Sequence, residues 1–140
     1  MEANNTLTKE EVIQKLQELT AGLLYISESD YPVEVVQYKA PSAIDPTDAE
    51  ILNLVNQPLG EPVEIRDLHY FFRNVTKPVD ETNEASNLAK RFQVLQAFLE
   101  QYLQQVKVYR IGKREILTFE LGRLNDKTYA GVKTIVISPS

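Results

Sequence analysis

Residues Val106 to Ser138, "VKVYRIGKREILTFELGRLNDKTYAGVKTIVIS", decide the fold class. Three segments rich in β-branched and aromatic residues, "VKVYRI", "EILTFEL" and "AGVKTIVIS", are separated by turn signals at Gly112-Lys113 and Asn125-Asp126, which predicts an antiparallel meander. Working backwards, residues 83 to 105 carry Leu88, Phe92, Leu95, Leu99, Tyr102, Leu103 and, just beyond, Val106 as a continuous apolar stripe at helical spacing. Such a helix is amphipathic and is expected to lie across the sheet. Helices without a repeating strand-helix period, combined with a largely antiparallel sheet, make the chain α+β.

The front half follows the same grammar. Thr8 with Glu11 forms a capping box, Leu7 can staple onto Val12, and Val12, Leu16, Leu19 and Leu23 recur on one face, so a helix is expected over about 9 to 21 with Gly22 as its stop. "VEVVQYKA", residues 33 to 40, lies between two prolines and reads as a strand. The intervening "SESDY" then joins a helix to a strand, holding Glu28 and Asp30 in a turn. Asp45-Pro46 is expected to cap a short helix through "AEILNLV". "VEIR" reads as a short strand, and "DLHYFFRNV" puts Leu68, Phe71, Phe72 and Val75 on one helical face with Asp67 as cap. "TKPVDETNE" is polar and contains Pro78, so it is expected to be an exposed loop.

Composition narrows the chemistry. The 140 residues, 43% hydrophobic, suit one domain over 1–140, and the absence of cysteine removes disulfides and thiolate sites together. A single histidine, His69, excludes sites that need two imidazoles. The formal charge of −5 opposes direct nucleic-acid binding. Residues Glu28 to Asp67 hold nine acidic side chains against Lys39 and Arg66, an acidic front that would steer a basic partner or keep the chain in solution. No signal-like start and no apolar run of membrane length is present, giving the expectation of a cytoplasmic monomer that does not meet a membrane. Glu28 and Asp30 could serve acid–base chemistry or a hard metal, but no further groups are named to join them, so an enzyme ranks last.

Four blocks, "GLLYISESDYPVEVVQY", "DLHYFFRNVTKPVDE", "KRFQVLQAFLEQYLQQVKVYRIG" and "AGVKTIVIS", resemble in order and separation the nuclease A inhibitor (NuiA-like) family, over about residues 8 to 138. The resemblance implies a three-layer α-β-α sandwich related to the plant PR-1 proteins. It also implies an acidic inhibitor of a sugar-non-specific, metal-dependent endonuclease. Glu28 matches the family glutamate that points toward the nuclease's catalytic magnesium, so the chain would bring no cofactor of its own and share that ion. Asp30 would support the same patch or cap the turn. Asp80 matches a contact aspartate, but the family aromatic after it is Glu81 here. Pro139 stands where the family's terminal threonine reaches the metal, and Ser140 extends one residue further as a possible substitute through its hydroxyl and carboxylate. The alternative reading is a binding module for another basic or metal-bearing protein, without nuclease inhibition.

Overall fold

The computed structural model describes residues 7–42 and 45–138. Helix α1 (Lys9–Thr20) starts at the expected capping box: the Thr8 hydroxyl accepts from Glu11 N–H and the Glu11 carboxylate accepts from Thr8 N–H. It ends at Ala21, and Gly22 supplies the positive φ, +69°, that turns the chain.

The chain does not then pass straight from helix to strand. Leu24–Ile26 (β1) and Asp30–Pro32 (β2) pair antiparallel as a small hairpin, with Ser27, Glu28 and Ser29 as its tip. The apolar residues "LYI" therefore form a strand that alternates Leu24 out, Tyr25 in, Ile26 out.

The main sheet has five strands in the order β3-β7-β6-β5-β4, every neighbouring pair antiparallel. Its strands are β3 (Glu34–Lys39), β4 (Val63–Arg66), β5 (Gln104–Ile111), β6 (Glu115–Asn125) and β7 (Thr128–Ile137). The meander is as the sequence predicts, although β6 and β7 run longer, meeting at a tight turn over Asp126-Lys127 in which the Asn125 side chain accepts from Lys127 N–H at 2.8 Å. The architecture is α+β.

Helix α2 (Asp48–Leu54) begins at Thr47, not Asp45. Thr47 and Glu50 make a second capping box, and Asp45 instead pairs with Lys107 at 2.9 Å. Helix α3 (Leu68–Phe72) has the expected Asp67 cap. Helix α4 (Asn83–Tyr102) is capped by Thr82 and stops three residues before the predicted end. Leu103 is already extended and β5 begins at Gln104, so Val106 lies on a strand. The seam is absorbed by a register shift between Gln104 and Lys107, with Gln105 at φ +57°.

Strand alternation sorts the core into two clusters. Phe119, Leu121, Tyr109 and Tyr129 meet Ile51, Leu52 and Val55 of α2 and its end. Val108, Ala130 and Val132 meet α1, α3 and α4 through Leu16, Phe71 and Phe92, among others. At about 25 cal/mol per Å² of apolar surface removed from water, each fully buried phenylalanine contributes about 2–3 kcal/mol, so this second cluster with its aromatic centre dominates the stability. Tyr25 brings the hairpin into it: its ring stacks on Phe71 with centroids 4.4 Å apart and meets Phe92 edge-on at 5.9 Å.

Candidate functional site

The hairpin is bound to the body at its base, flank and tip. At the base, Val33 N–H donates to the Leu23 carbonyl at 3.0 Å, and both side chains are buried. Along its flank, the buried Thr134 hydroxyl of β7 donates to the Pro32 carbonyl at 2.8 Å. Within it, the Tyr25 hydroxyl donates to the Phe71 carbonyl at 2.6 Å, and burial pushes that phenol up to about 12. The tip depends on Ser27, whose hydroxyl donates to the Ser29 carbonyl at 2.9 Å and accepts from Ile137 N–H of β7 at 3.1 Å. Glu28 is left exposed at the apex of this braced turn, and no ion pair involves it among the described residues. Asp30 opens β2, exposed and opposite Ile26.

A polar cleft of about 370 Å³ runs beside the tip. Ser27 and Glu28 line it from the hairpin, Tyr70, Arg73 and Asn74 from α3 and its exit, Arg110 from β5 and Ser138 from just beyond β7. An apolar hollow of about 220 Å³ adjoins it, lined by Lys77, Val79, Leu88 and Phe92, and Ile26 and Asn74 belong to both. The hairpin tip, the start of the 77–82 loop and the end of β7 thus share one face.

Asp80 is exposed, but its Oδ1 accepts from both the Thr82 hydroxyl, 2.6 Å, and the Thr82 N–H, 2.9 Å. Those bonds, the hydroxyl's first, hold its carboxyl below the ordinary aspartate range. Since Thr82 in turn caps α4 through Ala85 N–H, Asp80 shapes the loop that leads into that helix. Glu81 is exposed beside it. Ser140 and Pro139 lie outside the described residues.

The sequence reading did not single out Tyr70, Arg73 and Arg110 of the cleft. Arg73 sits in a run otherwise read for its apolar face, and Arg110 alternates inward on a strand, so only the tertiary fold brings them beside Glu28. Nor did it single out Glu120, which lies fully buried on β6 opposite Val108 and Val132, on the face covered by α1, α3 and α4. The Thr118 hydroxyl donates to Glu120 Oε2 at 2.5 Å, while Oε1 has no hydrogen-bond partner among the described residues. Burial pushes this carboxyl up to about 8, against the opposing pull of the Thr118 hydroxyl and the Arg110 charge.

Residues 10–138 match the family described as nuclease A inhibitor-like protein. The chain belongs to that family. Among curated proteins, none matches it. An inhibitor family implies a protein partner in general, and it is consistent with a non-catalytic role for this nuclease A inhibitor-like chain. No helix among the described residues is long and apolar enough to cross a membrane.

Proposed function

We propose that this nuclease A inhibitor-like chain blocks a sugar-non-specific, metal-dependent endonuclease by placing Glu28 in the site built for substrate phosphate. The observation that carries this reading is the exposed Glu28 carboxylate at the apex of a hairpin braced at base, flank and tip. A nuclease cleft is organised around anionic phosphate and a hard cation. A carboxylate held out on a fixed turn offers the same charge and oxygen ligands with no bond to cleave. Bracing matters because a mobile tip would lose rotamer and backbone entropy on binding, and here that ordering has already occurred in folding.

In this reading the inhibitor is a cytoplasmic monomer without a cofactor of its own. Glu28 supplies one ligand toward the nuclease's magnesium, Asp30, Asp80 and Glu81 are further partner contacts, and Ser140, outside the described residues, is kept as the contact that the family resemblance implies. Local bonds commit Asp80 to its own turn, so it ranks below Glu28 as a contact. The two core clusters on opposite faces of the sheet support the three-layer, PR-1-like arrangement.

The test is a DNA-cleavage assay with a sugar-non-specific nuclease, titrated with the wild-type chain and with Glu28→Gln. Inhibition by the wild type and its loss in the variant are expected. A wild type that binds the nuclease without slowing cleavage would favour a binding module without inhibitory action.

A further inference from the structure

Three guanidinium groups surround the ring of Tyr70. The Cζ atoms of Arg73, Arg66 and Arg110 lie 3.7, 4.9 and 5.2 Å from its centroid. Each gains cation–π attraction, yet three like charges around one ring repel one another. Glu64 is the carboxylate bonded into the group: it accepts from Arg66 Nη2 at 2.6 Å and from Arg110 Nε at 3.0 Å. Those contacts, the Arg66 hydrogen bond foremost, hold its carboxyl below the ordinary glutamate range. Asp67 adds only a weaker attraction to Arg66. The group therefore keeps a positive excess on a chain whose net charge is −5.

That excess faces the cleft. Arg110 is 16% exposed at its side chain and spends its Nε on Glu64, while Arg73 spends Nη1 on the Tyr70 carbonyl at the end of α3. Both side chains line the same 370 Å³ cleft as Glu28, with Ser27, Asn74 and Ser138 as further polar groups. Behind Arg110, burial pushes the Glu120 carboxyl toward its neutral form, which weakens it as a countercharge. Guanidinium presents paired N–H donors in a plane, the geometry that an oxyanion accepts.

We propose that the cleft beside the hairpin tip is an oxyanion site, in which Arg73 and Arg110 take a carboxylate from the surface of the nuclease next to the point where Glu28 meets its cationic centre. The proposal rests on the reading of Glu28 as nuclease-facing. It adds that the contact is alternating in sign, with an acid and two bases side by side on the inhibitor. Such an arrangement fixes register and rejects nucleases whose surface lacks the matching acid.

Isotope-labelled protein, titrated at constant ionic strength with sodium acetate in one arm and sodium phosphate in the other, tests the site by amide and guanidinium NMR signals. Saturable shifts at Arg73, Arg110, Asn74 and Ser27 are expected in both arms, weakened by about ten-fold or more in Arg73→Gln and Arg110→Gln. Glu64→Gln removes the internal countercharge and should tighten anion binding several-fold, a gain that a merely damaged fold would not produce. Shifts that do not saturate, or that persist in the two Arg variants, overturn the site. In the cleavage assay, Arg110→Gln should need about ten-fold more protein for equal inhibition. If it inhibits like the wild type while the anions still bind, the nuclease carboxylate is not the occupant. Loss of the parent reading shows separately, as unchanged inhibition by Glu28→Gln.

Discussion

Glu28→Gln removes one charge and almost no volume from an exposed position, so folding stability should change by less than about 0.5 kcal/mol. If its carboxylate faces a metal-bearing cleft in a desolvated interface, affinity should fall by about 2 to 5 kcal/mol, roughly thirty-fold or more, chiefly through faster dissociation. Asp80→Asn, whose carboxylate serves its own turn, should weaken inhibition less, while loosening the start of α4. Competition binding of the two variants against wild type checks both expectations. Glu120 gives a residue-scale prediction of the opposite kind. Its folded value near 8 stands above the ordinary value of 4.5, so the native state holds the proton that the unfolded state releases. Stability from this group is complete in acid, falls as the pH rises from about 4.5 through about 8, and is flat beyond. The charged group that acts on it is Arg110 of β5, which favours ionisation, and the nearby Tyr25 phenol of the hairpin stays neutral across this range. Urea unfolding from pH 5 to 9 should show that decline in the wild type and lose it in Glu120→Gln. Equal pH profiles would mean the carboxyl finds a solvated or paired state.

The hairpin stands or falls with Ser27. Ser27→Ala removes the hydroxyl that ties the tip both to Ser29 and to β7, and strands Ile137 N–H, for a cost of about 1–2 kcal/mol. Faster hydrogen exchange at Ile137 and a several-fold loss of inhibition should accompany it, with Glu28 still present. Between β6 and β7 the close approach at Gly131 is equally specific. A Cβ there would stand 1.8 Å from the Glu120 carbonyl oxygen, a backbone atom that cannot swing away, so Gly131→Ala should cost about 3 kcal/mol or more in thermal or urea unfolding. The same scale shows what a sequence makes legible. β4 is found at the predicted residues, α1 begins at its predicted capping box, and α4 begins at residue 83 as its apolar stripe predicts. The strands of the meander follow from β-branched residues between strong turns. The β1–β2 hairpin was hidden because each strand is three residues long, its turn is Ser-Glu-Ser without Gly or Asn, and "LLYI" continues the apolar spacing of α1. The end of α4 was overrun for a related reason: no Gly or Pro marks Leu103, and Val106 fits a helical stripe as well as a strand. Glu28 is a candidate through family resemblance alone, whereas Arg73 and Arg110 meet only because α3 packs beside β5.

Across the whole molecule the charge is less lopsided than along the chain. Three carboxylates of the acidic front meet bases from the second half, Asp45 with Lys107, Glu64 with Arg110 and Glu34 with Lys133. Surface pairs of this sort contribute little to stability, but they cancel field where they occur. Glu28 and Asp30, like Asp48, Glu50, Glu61 and Asp67, have no such pair among the described residues, so the acidic front keeps a negative excess that includes the hairpin end. Association with a basic nuclease should therefore slow as ionic strength rises from about 0.01 to 0.15 M, where the screening length shrinks from about 30 to 8 Å. Stopped-flow association rates that ignore salt would reduce the acidic surface to a solubility device. The sheet order carries a consequence in time. Among the described residues β3 has β7 as its sole sheet neighbour, Val35 lying opposite Val132, and the tip holding Glu28 is fastened to Ile137 of the same strand. A ribosome that has released everything through β6 has made an edge without its mate and a tip without its anchor. Pairings so distant in sequence form late, and their entropy is recovered only when β7 inserts. If Glu28 faces a nuclease as proposed, a chain synthesised only through β6 holds that carboxylate on an unfastened tip, and inhibition should appear only once β7 is in place.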